Sequence, residues 1–502
     1  MFQTTITCLA LLLAGSALQA QTIYYVDSNR ENSGDGTSWA EAFRYLDDAI
    51  EEADDGDQVW VAAATYVPGG NAPDSTSTFE FDDDIQLYGG FSGSETDLSQ
   101  RDLEANVTVL SGDVRGDDRD FDFRNNIADN VAHIMEVGAG TSVTTVIDGF
   151  FFTRGVADFF PAEDIDGVGG AILAFGTCTI RNCTFRQNYA RRGAAIYIEE
   201  DAASGLQIVD CKFFDHRGQQ GSAIYAAELE DLSIRGCLFQ SGQVNDNGGA
   251  VYLDDADAFE IDDCEFSSNL AGALFAFGDN RGAGGLDAGG AVYCTDADGL
   301  ISDCTFELNR ARVGGGFANG GEGVITFEDV VFSENTGVES GGAVYLYEGS
   351  TTDFADCDFE SNTSAFGGAL HVLGGEVMGD TSTTVDLFDC ELESNSSTAS
   401  GGAIWSQFGS ELTLEDCDLE DNTAGASGAP SSSVPTRSTS AIPTCSSPSS
   451  PPTPPIVPVG PSRYSTASSN SSTASCRAIR PAPTAGASCS RRLRRSMRNC
   501  WR

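Results

Sequence analysis

Positive charge is what this sequence most lacks: 27 lysines and arginines stand against 76 aspartates and glutamates in 502 residues. So anionic a surface makes binding to nucleic-acid phosphates or anionic lipid headgroups electrostatically unfavourable, so no nucleic-acid partner is expected and cations are favoured. Histidine is scarce too, since His133, His216 and His371 are the full set and none sits in a motif. No paired Cys-x-x-Cys cluster is present, which argues against structural zinc. No segment has the unbroken apolar run of about 18 residues that a membrane-spanning helix needs. The early stretch Leu13-Ala14-Gly15-Ser16 has no cysteine for lipid attachment.

What charge there is lies unevenly. Residues 430–502 hold ten arginines and no Asp, Glu or Lys, so residues 1–429 carry a net charge of −59. At the other end, the apolar run Ile6 to Ala14 and the small residues ending at Ala20 read as a secretory signal peptide cleaved before Gln21. No Lys or Arg precedes that run, and Leu18 stands where a small residue is usual. The expected compartment is therefore outside the cytoplasm, secreted or at the outer cell surface.

Glycine is abundant, and it is periodic. The unit Gly-Gly-Ala-aliphatic-aromatic recurs as Gly248 to Tyr252, Gly289 to Tyr293, Gly341 to Tyr345 and Gly401 to Trp405, with weaker copies from Gly169, Gly193, Gly221, Gly314 and Gly367. Its third position falls at 171, 195, 223, 250, 291, 316, 343, 369 and 403, a period near 26 residues with two longer steps. Such a period signals a repeat architecture.

A second unit, Cys-x-Phe or Cys-x-Leu, follows most copies at Cys183, Cys211, Cys237, Cys264, Cys304, Cys357, Cys390 and Cys417, with Val330 once in its place. Three residues before it an apolar side chain always appears, from Ile180 to Leu414. An offset of three cannot lie on one face of a continuous strand, whose period is two, so the chain must turn a corner. The residue before the Cys position is Asp in most turns, Asn182 or Gly236 otherwise, types that tolerate a left-handed bend. Five residues after the Cys position a loop usually carries Asn, as at Asn269, Asn309, Asn335, Asn362, Asn395 and Asn422.

Three short strands per turn describe a β-solenoid, its turns stacked about 4.8 Å apart with a right-handed crossover. The fold class expected is all-β: a right-handed parallel β-helix over residues 81–429, an N-terminal cap over 21–80, and a disordered tail over 430–502. Within the cap, Ala42, Phe43, Leu46, Ala49, Ile50 and Ala53 form a helical stripe that would plug the apolar end of the first turns. Ten cysteines between 178 and 417 in an exported chain invite a disulfide framework, but their repeated inward register favours a ladder of free buried thiols.

Residues 23–67, from Ile23-Tyr24-Tyr25-Val26-Asp27 through Gly36-Thr37-Ser38-Trp39 to Val59-Trp60-Val61-Ala62 and Thr65-Tyr66, resemble the N-terminal capping segment of bacterial pectate-lyase-like β-helix proteins. The likeness continues through Leu87 to Phe91, Leu110 to Asp113 and Ile147 to Phe150. The Gly-Gly-Ala and Cys-x-Phe-x-x-Asn units look like polymorphic outer membrane protein repeats. Together the resemblance spans about residues 22–429 and implies the β-helix and a surface location. For function it implies less, because this scaffold hosts polysaccharide lyases, hydrolases, adhesins and inert surface proteins.

The candidate sites follow from the residues. A lyase of this fold needs calcium held by acidic side chains and a base beside the sugar carboxylate. Arg191 and Arg192, with Arg186, are the catalytic candidates, and surface arginines offsetting an acidic face are the plainer reading. Asp118, Asp120 and Asp122, in a run that also holds Asp113 and Asp117, have alternate carboxylates that suit calcium. The run lacks the glycine and distal glutamate of a complete calcium loop. Insertions 271–288 and 373–383 enlarge the long turns, and 153–168 precedes the first. In repeat proteins insertions gather on one face and carry binding, which makes Phe275, Phe277, Asp279, Asn280 and Arg281 the candidate contact loop. The function expected is an adhesin-like scaffold that binds a polysaccharide or a cell-surface ligand without catalysis. The alternative is a calcium-dependent lyase of acidic polysaccharides.

Residues 430–502 hold twelve of the fifteen prolines, and Ser427-Gly428-Ala429 arrives 26 residues after Gly401-Gly402-Ala403, where another unit is due. GGC GCC ATC TTC would encode Gly-Ala-Ile-Phe, and its bases read one position later give Ala429-Pro430-Ser431-Ser432. The tail is therefore expected to be the product of a reading-frame slip within the next repeat, with too little apolar content to fold.

Overall fold

The computed structural model describes residues 21–120, 125–157, 167–199, 205–272, 286–374 and 382–425. The signal-like segment 1–20, Asp122, the contact loop Phe275 to Arg281 and the tail 430–502 lie outside the described residues.

The chain winds as a coil whose strands pair in parallel with the turn before and after. Each turn runs through a strand after Gly-Gly-Ala (the tyrosine sheet), then the isoleucine sheet, then Cys-x-Phe (the phenylalanine sheet). Among the described residues these sheets have 11, 13 and 12 strands, and a fourth sheet of ten short strands lies between the phenylalanine and tyrosine sheets. The fourth corrects the three-strand expectation. Its strands, such as Tyr189–Ala190 and Gln243–Val244, are often two residues long. A two-residue strand cannot display a period of two, so it reads as loop in sequence.

Corners form where parity demanded them. Asn182, Asp210, Gly236, Asp263, Asp303, Asp329, Asp356, Asp389 and Asp416 all have φ between 51° and 60°. Strands such as Thr179–Arg181 and Thr184–Arg186 can then both aim their middle side chains, Ile180 and Phe185, inward. The first glycine of each Gly-Gly-Ala is also left-handed, φ 68° at Gly248 and 64° at Gly289. The second is needed for close approach, since a Cβ on Gly290 would lie 2.7 Å from the Arg310 amide nitrogen in the next turn.

The core is built of ladders. Phe152, Phe185, Phe213, Phe239, Phe266, Phe306, Phe332 and Phe359 form a stack with ring centroids 4.7–5.0 Å apart. Each buried ring contributes roughly 1.5–3 kcal/mol. Cys183, Cys211, Cys237, Cys264, Cys304, Cys357 and Cys390 are 0–3% exposed in the adjoining register. They are free thiols. Each S–H donates to the carbonyl two residues earlier, as Cys211 Sγ does to Val209 O at 3.3 Å, and the hydrogen bond with Cys357, with burial adding to it, pushes the Cys390 thiol up to about 12.

An asparagine ladder closes the loop after the phenylalanine sheet. Asn269, Asn309, Asn335, Asn362 and Asn395 each donate from Nδ2 to the Oδ1 of the asparagine in the next turn, at 3.0–3.1 Å. They also donate to a phenylalanine carbonyl of the turn before. His216 takes this place in one turn: Nδ1 accepts from the Asn188 amide (3.2 Å) and Nε2 donates to Phe185 O (3.1 Å). Gly242 takes it in the next, because Ser222 replaces the second glycine of its motif and its hydroxyl fills the space a side chain at 242 would need. Two departures from the repeat thus compensate each other.

At the N-terminal end, strands Ile23–Val26 and Gln58–Ala62 already belong to the isoleucine sheet. The expected helical stripe forms a 3-10 turn at Trp39–Glu41 and helix α1 at Leu46–Glu52. Leu46, Ala49 and Ile50 of α1 are buried in the same core as Val26 and Val59, so the helix plugs the coil.

Candidate functional site

Most of each turn is short and regular, and several exceptions share one edge. The insertion 373–383 does not, because it leaves Leu370–Leu373 of the tyrosine sheet and enters Thr384–Phe388 of the isoleucine sheet, which corrects the expectation that the insertions gather on one face. Between the phenylalanine and tyrosine strands lie the acidic loop after Thr108–Ser111, the pair Arg191 and Arg192, and the insertion between Leu270–Ala271 and Val292–Thr295. Asp118, Asp120, Arg191 and Arg192 therefore share the edge that the short sheet lines, and the insertion that holds the contact-loop candidates leaves and rejoins the described chain there. Stacking places the acidic loop and the arginine pair roughly 10 Å apart along the axis, two turns at about 4.8 Å each.

Arg191 donates its amide to Gly167 O (2.8 Å) and lays its side chain against that glycine, where a Cβ would meet Arg191 Cδ at 3.3 Å. Arg192 turns onto the tyrosine sheet. Its Nε donates to Gln220 Oε1 (3.1 Å) and its guanidinium lies 5.1 Å above the Tyr225 ring. Arg186 lies apart, 3.6 Å from Asp215.

The outward face of the tyrosine sheet is itself packed. Tyr197, Tyr225, Tyr252 and Tyr293 stack at 4.9–5.4 Å between centroids. The next turn carries Ala318 in this register, and Tyr347 fills the gap by joining its hydroxyl to that of Tyr293 (2.8 Å) over Gly320, where a Cβ would collide with the Tyr347 ring. Burial raises the Asp254 carboxyl beside this stack, Asp296 pushes the same way, and Arg192 opposes them.

In the acidic loop, Asp118 and Asp120 both face Arg154, whose Nη1 is 3.6 Å from Asp118 and Nη2 2.8 Å from Asp120. Asn130 Nδ2 donates to Asp118 Oδ2 (2.8 Å). The carboxylates that meet one another are Asp113, Asp117 and Asp129, with one oxygen of each within 4.8 Å of the others. Asp129 was not picked from sequence, since twelve residues separate it from Asp117 and only the folded loop joins them.

The histidines are structural. His133 Nδ1 is 3.1 Å from Gly169 O. His216 is in the asparagine ladder, and burial lowers it to about 3. His371 packs on Tyr345, accepts from Gln407 Nε2 (3.2 Å), and is lowered by burial to about 4.

On the corner between the isoleucine and phenylalanine sheets the aspartates at the left-handed bend recur from turn to turn. Where Gly236 interrupts them a notch of about 310 Å³ opens, lined by Asp263, Glu265, Asp303 and Thr305.

A family model described as right handed beta helix region matches residues 176–434. Among solved structures the chain is similar to the mannuronan C-5 epimerase AlgE4 A-module of Azotobacter vinelandii, at 14% identity, 80% of this chain, 96% of that chain and a TM-score of 0.32. It is also similar to PfbA, a surface adhesin of Streptococcus pneumoniae, at 11% identity, 75% and 86% coverage and a TM-score of 0.28. The family 28 exopolygalacturonase of Yersinia enterocolitica follows at 9%, 82%, 76% and 0.25. A curated relative, metabotropic glutamate receptor-like protein R of Dictyostelium discoideum, is 26% identical over 178 residues, which is 34% of this chain. The match spans about a tenth of that relative's length.

Proposed function

We propose that this chain, which belongs to the right-handed β-helix family, is an exported binding scaffold that holds a polysaccharide or cell-surface ligand without catalysing its cleavage. The observation that carries the reading is that the acidic loop, the arginine pair and the ends of the insertion after Ala271 fall on one edge while Arg192 is committed to Tyr225 and Gln220. A regular coil with a variable edge is how repeat proteins present contact surfaces. Export is supported by the apolar start and the small residues before Gln21, and a bacterial surface location by the capping segment and the repeat units. The second reading, a calcium-dependent lyase, is favoured by carboxylates on the same edge as Arg191 and Arg192.

One experiment separates them. The purified chain is incubated with a panel of acidic and neutral polysaccharides while unsaturated and reducing ends are followed and retention on each immobilised polymer is measured. Retention without product is expected, weakened by Arg192→Ala. Cleavage that Arg191→Ala or Arg192→Ala abolishes would establish the lyase instead.

A further inference from the structure

We infer that the outward face of the short sheet, from Arg310 to Thr423, is the track on which an uncharged polysaccharide lies along the axis of the coil. The inference rests on the binding reading above and gives it a place and a class of ligand.

Register builds the track. Arg310, Thr336, Thr363, Ser396 and Thr423 are strand partners in successive turns. All five are exposed or half-buried, whereas the residues that follow the first four, Ala311, Gly337, Ser364 and Ser397, are buried, so this column faces solvent. Four steps of the stacking distance make it roughly 20 Å long. Thr336 Oγ1 lies 3.2 Å from Thr363 Oγ1. In the same strands Val338 and Phe366 stand 49% and 38% exposed, and the Phe366 ring is 5.8 Å from that of Trp405.

Charge picks out the same face independently. Among the described residues the ten strands of the short sheet hold one carboxylate, Glu339, which is paired with Arg312 (3.0 Å), whereas the strands of the isoleucine and phenylalanine sheets hold eight each. The contrast is sharpest in the last turns. Glu360, Glu393 and Glu420 stand three residues before Thr363, Ser396 and Thr423, yet the short strands Thr363–Phe366, Ser396–Ser400 and Thr423–Ala424 carry no acid. Residues 1–429 have a net charge of −59, so a face clear of acids is one where contact strips no water from unpaired carboxylates.

The flanks choose the occupant. Three residues span about 10 Å at most, close to the screening length of about 8 Å at physiological salt, so a polyanion on the track is repelled by the glutamate row beside it. A second copy of this chain would bring its own carboxylate rows against the first, and a cationic polymer would be drawn off the track onto them. Strand addition by a peptide has no edge to use, because the strands from Thr336 to Ser400 are paired on both sides. An uncharged sugar chain meets none of these costs. Its hydroxyls bond to the column of hydroxyls and to the Arg310 guanidinium, its C–H faces pack on Val338 and Phe366, and a polymer of identical rings repeats the contact from turn to turn.

The test is retention of the full chain on immobilised neutral glucan and mannan, with polygalacturonate as the anionic comparison. Retention on a neutral polymer, not weakened by added salt, is expected. Thr363→Asp sets a carboxylate in the track and should weaken it by roughly tenfold or more. Thr363→Asn, uncharged and of similar size, and Ser333→Asp, which adds the same charge to the outward face of the phenylalanine sheet, should leave it within about twofold. Thr363 is exposed, so both of its variants keep the fold, which circular dichroism checks. Equal retention of Thr363→Asp and Thr363→Asn on a neutral polymer places binding elsewhere and overturns the inference while leaving the binding reading intact. Retention on polygalacturonate alone overturns the ligand class, and a dimer in sedimentation that Thr363→Asp dissociates gives the track to a second copy and overturns it too. No retention on any polymer overturns both the inference and the reading beneath it.

Discussion

His216→Asn isolates one proton's contribution to stability. In the folded chain His216 is 1% exposed, its Nδ1 accepts from Asn188 and its Nε2 donates to Phe185, so both nitrogens are used only in the neutral ring. Burial lowers its folded value to about 3 from 6.5. Below pH 6.5 the unfolded chain takes up a proton that the folded chain refuses until about pH 3. Stability from this position is therefore complete above 6.5 and falls as the pH drops through that window. At 1.36 kcal/mol per pH unit, the loss between pH 7.5 and pH 5 is about 2 kcal/mol. Asparagine occupies the same ladder position in other turns, where it makes both bonds without titrating. The variant should match the parent within about 1 kcal/mol at pH 7.5 and gain about 2 kcal/mol on it at pH 5. Urea denaturation followed by circular dichroism at both pH values measures this. His371 shifts in the same direction in both proteins, so it cancels from the difference. A difference that does not change with pH would refute the reasoning.

Other substitutions probe other terms. Asp148 is 1% exposed and accepts from Arg101 (3.0 Å), Arg181 (2.8 Å) and Asn182 (2.9 Å), so Asp148→Ala should cost about 3 kcal/mol in chemical denaturation by stranding partly buried guanidiniums. Leu308 is 49% exposed at φ 57°, a conformation leucine adopts at a cost of about 1 kcal/mol, so Leu308→Asn should raise stability by about that much; a loss would show that its packing outweighs strain. Asn319 is fully buried in line with Cys294 and Leu346, and neither its Nδ2 nor its Oδ1 has a partner, so Asn319→Leu should stabilise by roughly 1–3 kcal/mol. A lower melting temperature in that variant would mean the amide is satisfied in solution.

Sequence by itself determined what repeats. The offset of three between Ile180 and Cys183 required a corner, the Asp, Asn or Gly between them supplied it, and the structure bends there in every turn with a left-handed residue. The inward register of cysteines and phenylalanines and the helical stripe at Leu46, Ala49 and Ile50 were legible for the same reason: side-chain periodicity is a local property of the backbone. Tertiary structure alone decided what depends on stacking. The second left-handed position, before each ladder residue, is occupied by Gln187, Asp215, Ser241, Ser268, Leu308, Glu334, Ser361, Ser394 and Asp421, a mixture in which serine is commonest but Gln, Leu and Glu also occur, so no residue type marks it as the Asp, Asn or Gly of the first corner does. His216 standing in for asparagine, Gly242 making room for Ser222, and Tyr347 filling the gap over Gly320 are each compensations between turns. The meeting of Asp113 and Asp117 with Asp129 belongs to the same class. Residues that touch only after the coil closes leave no spacing in the sequence from which to read them.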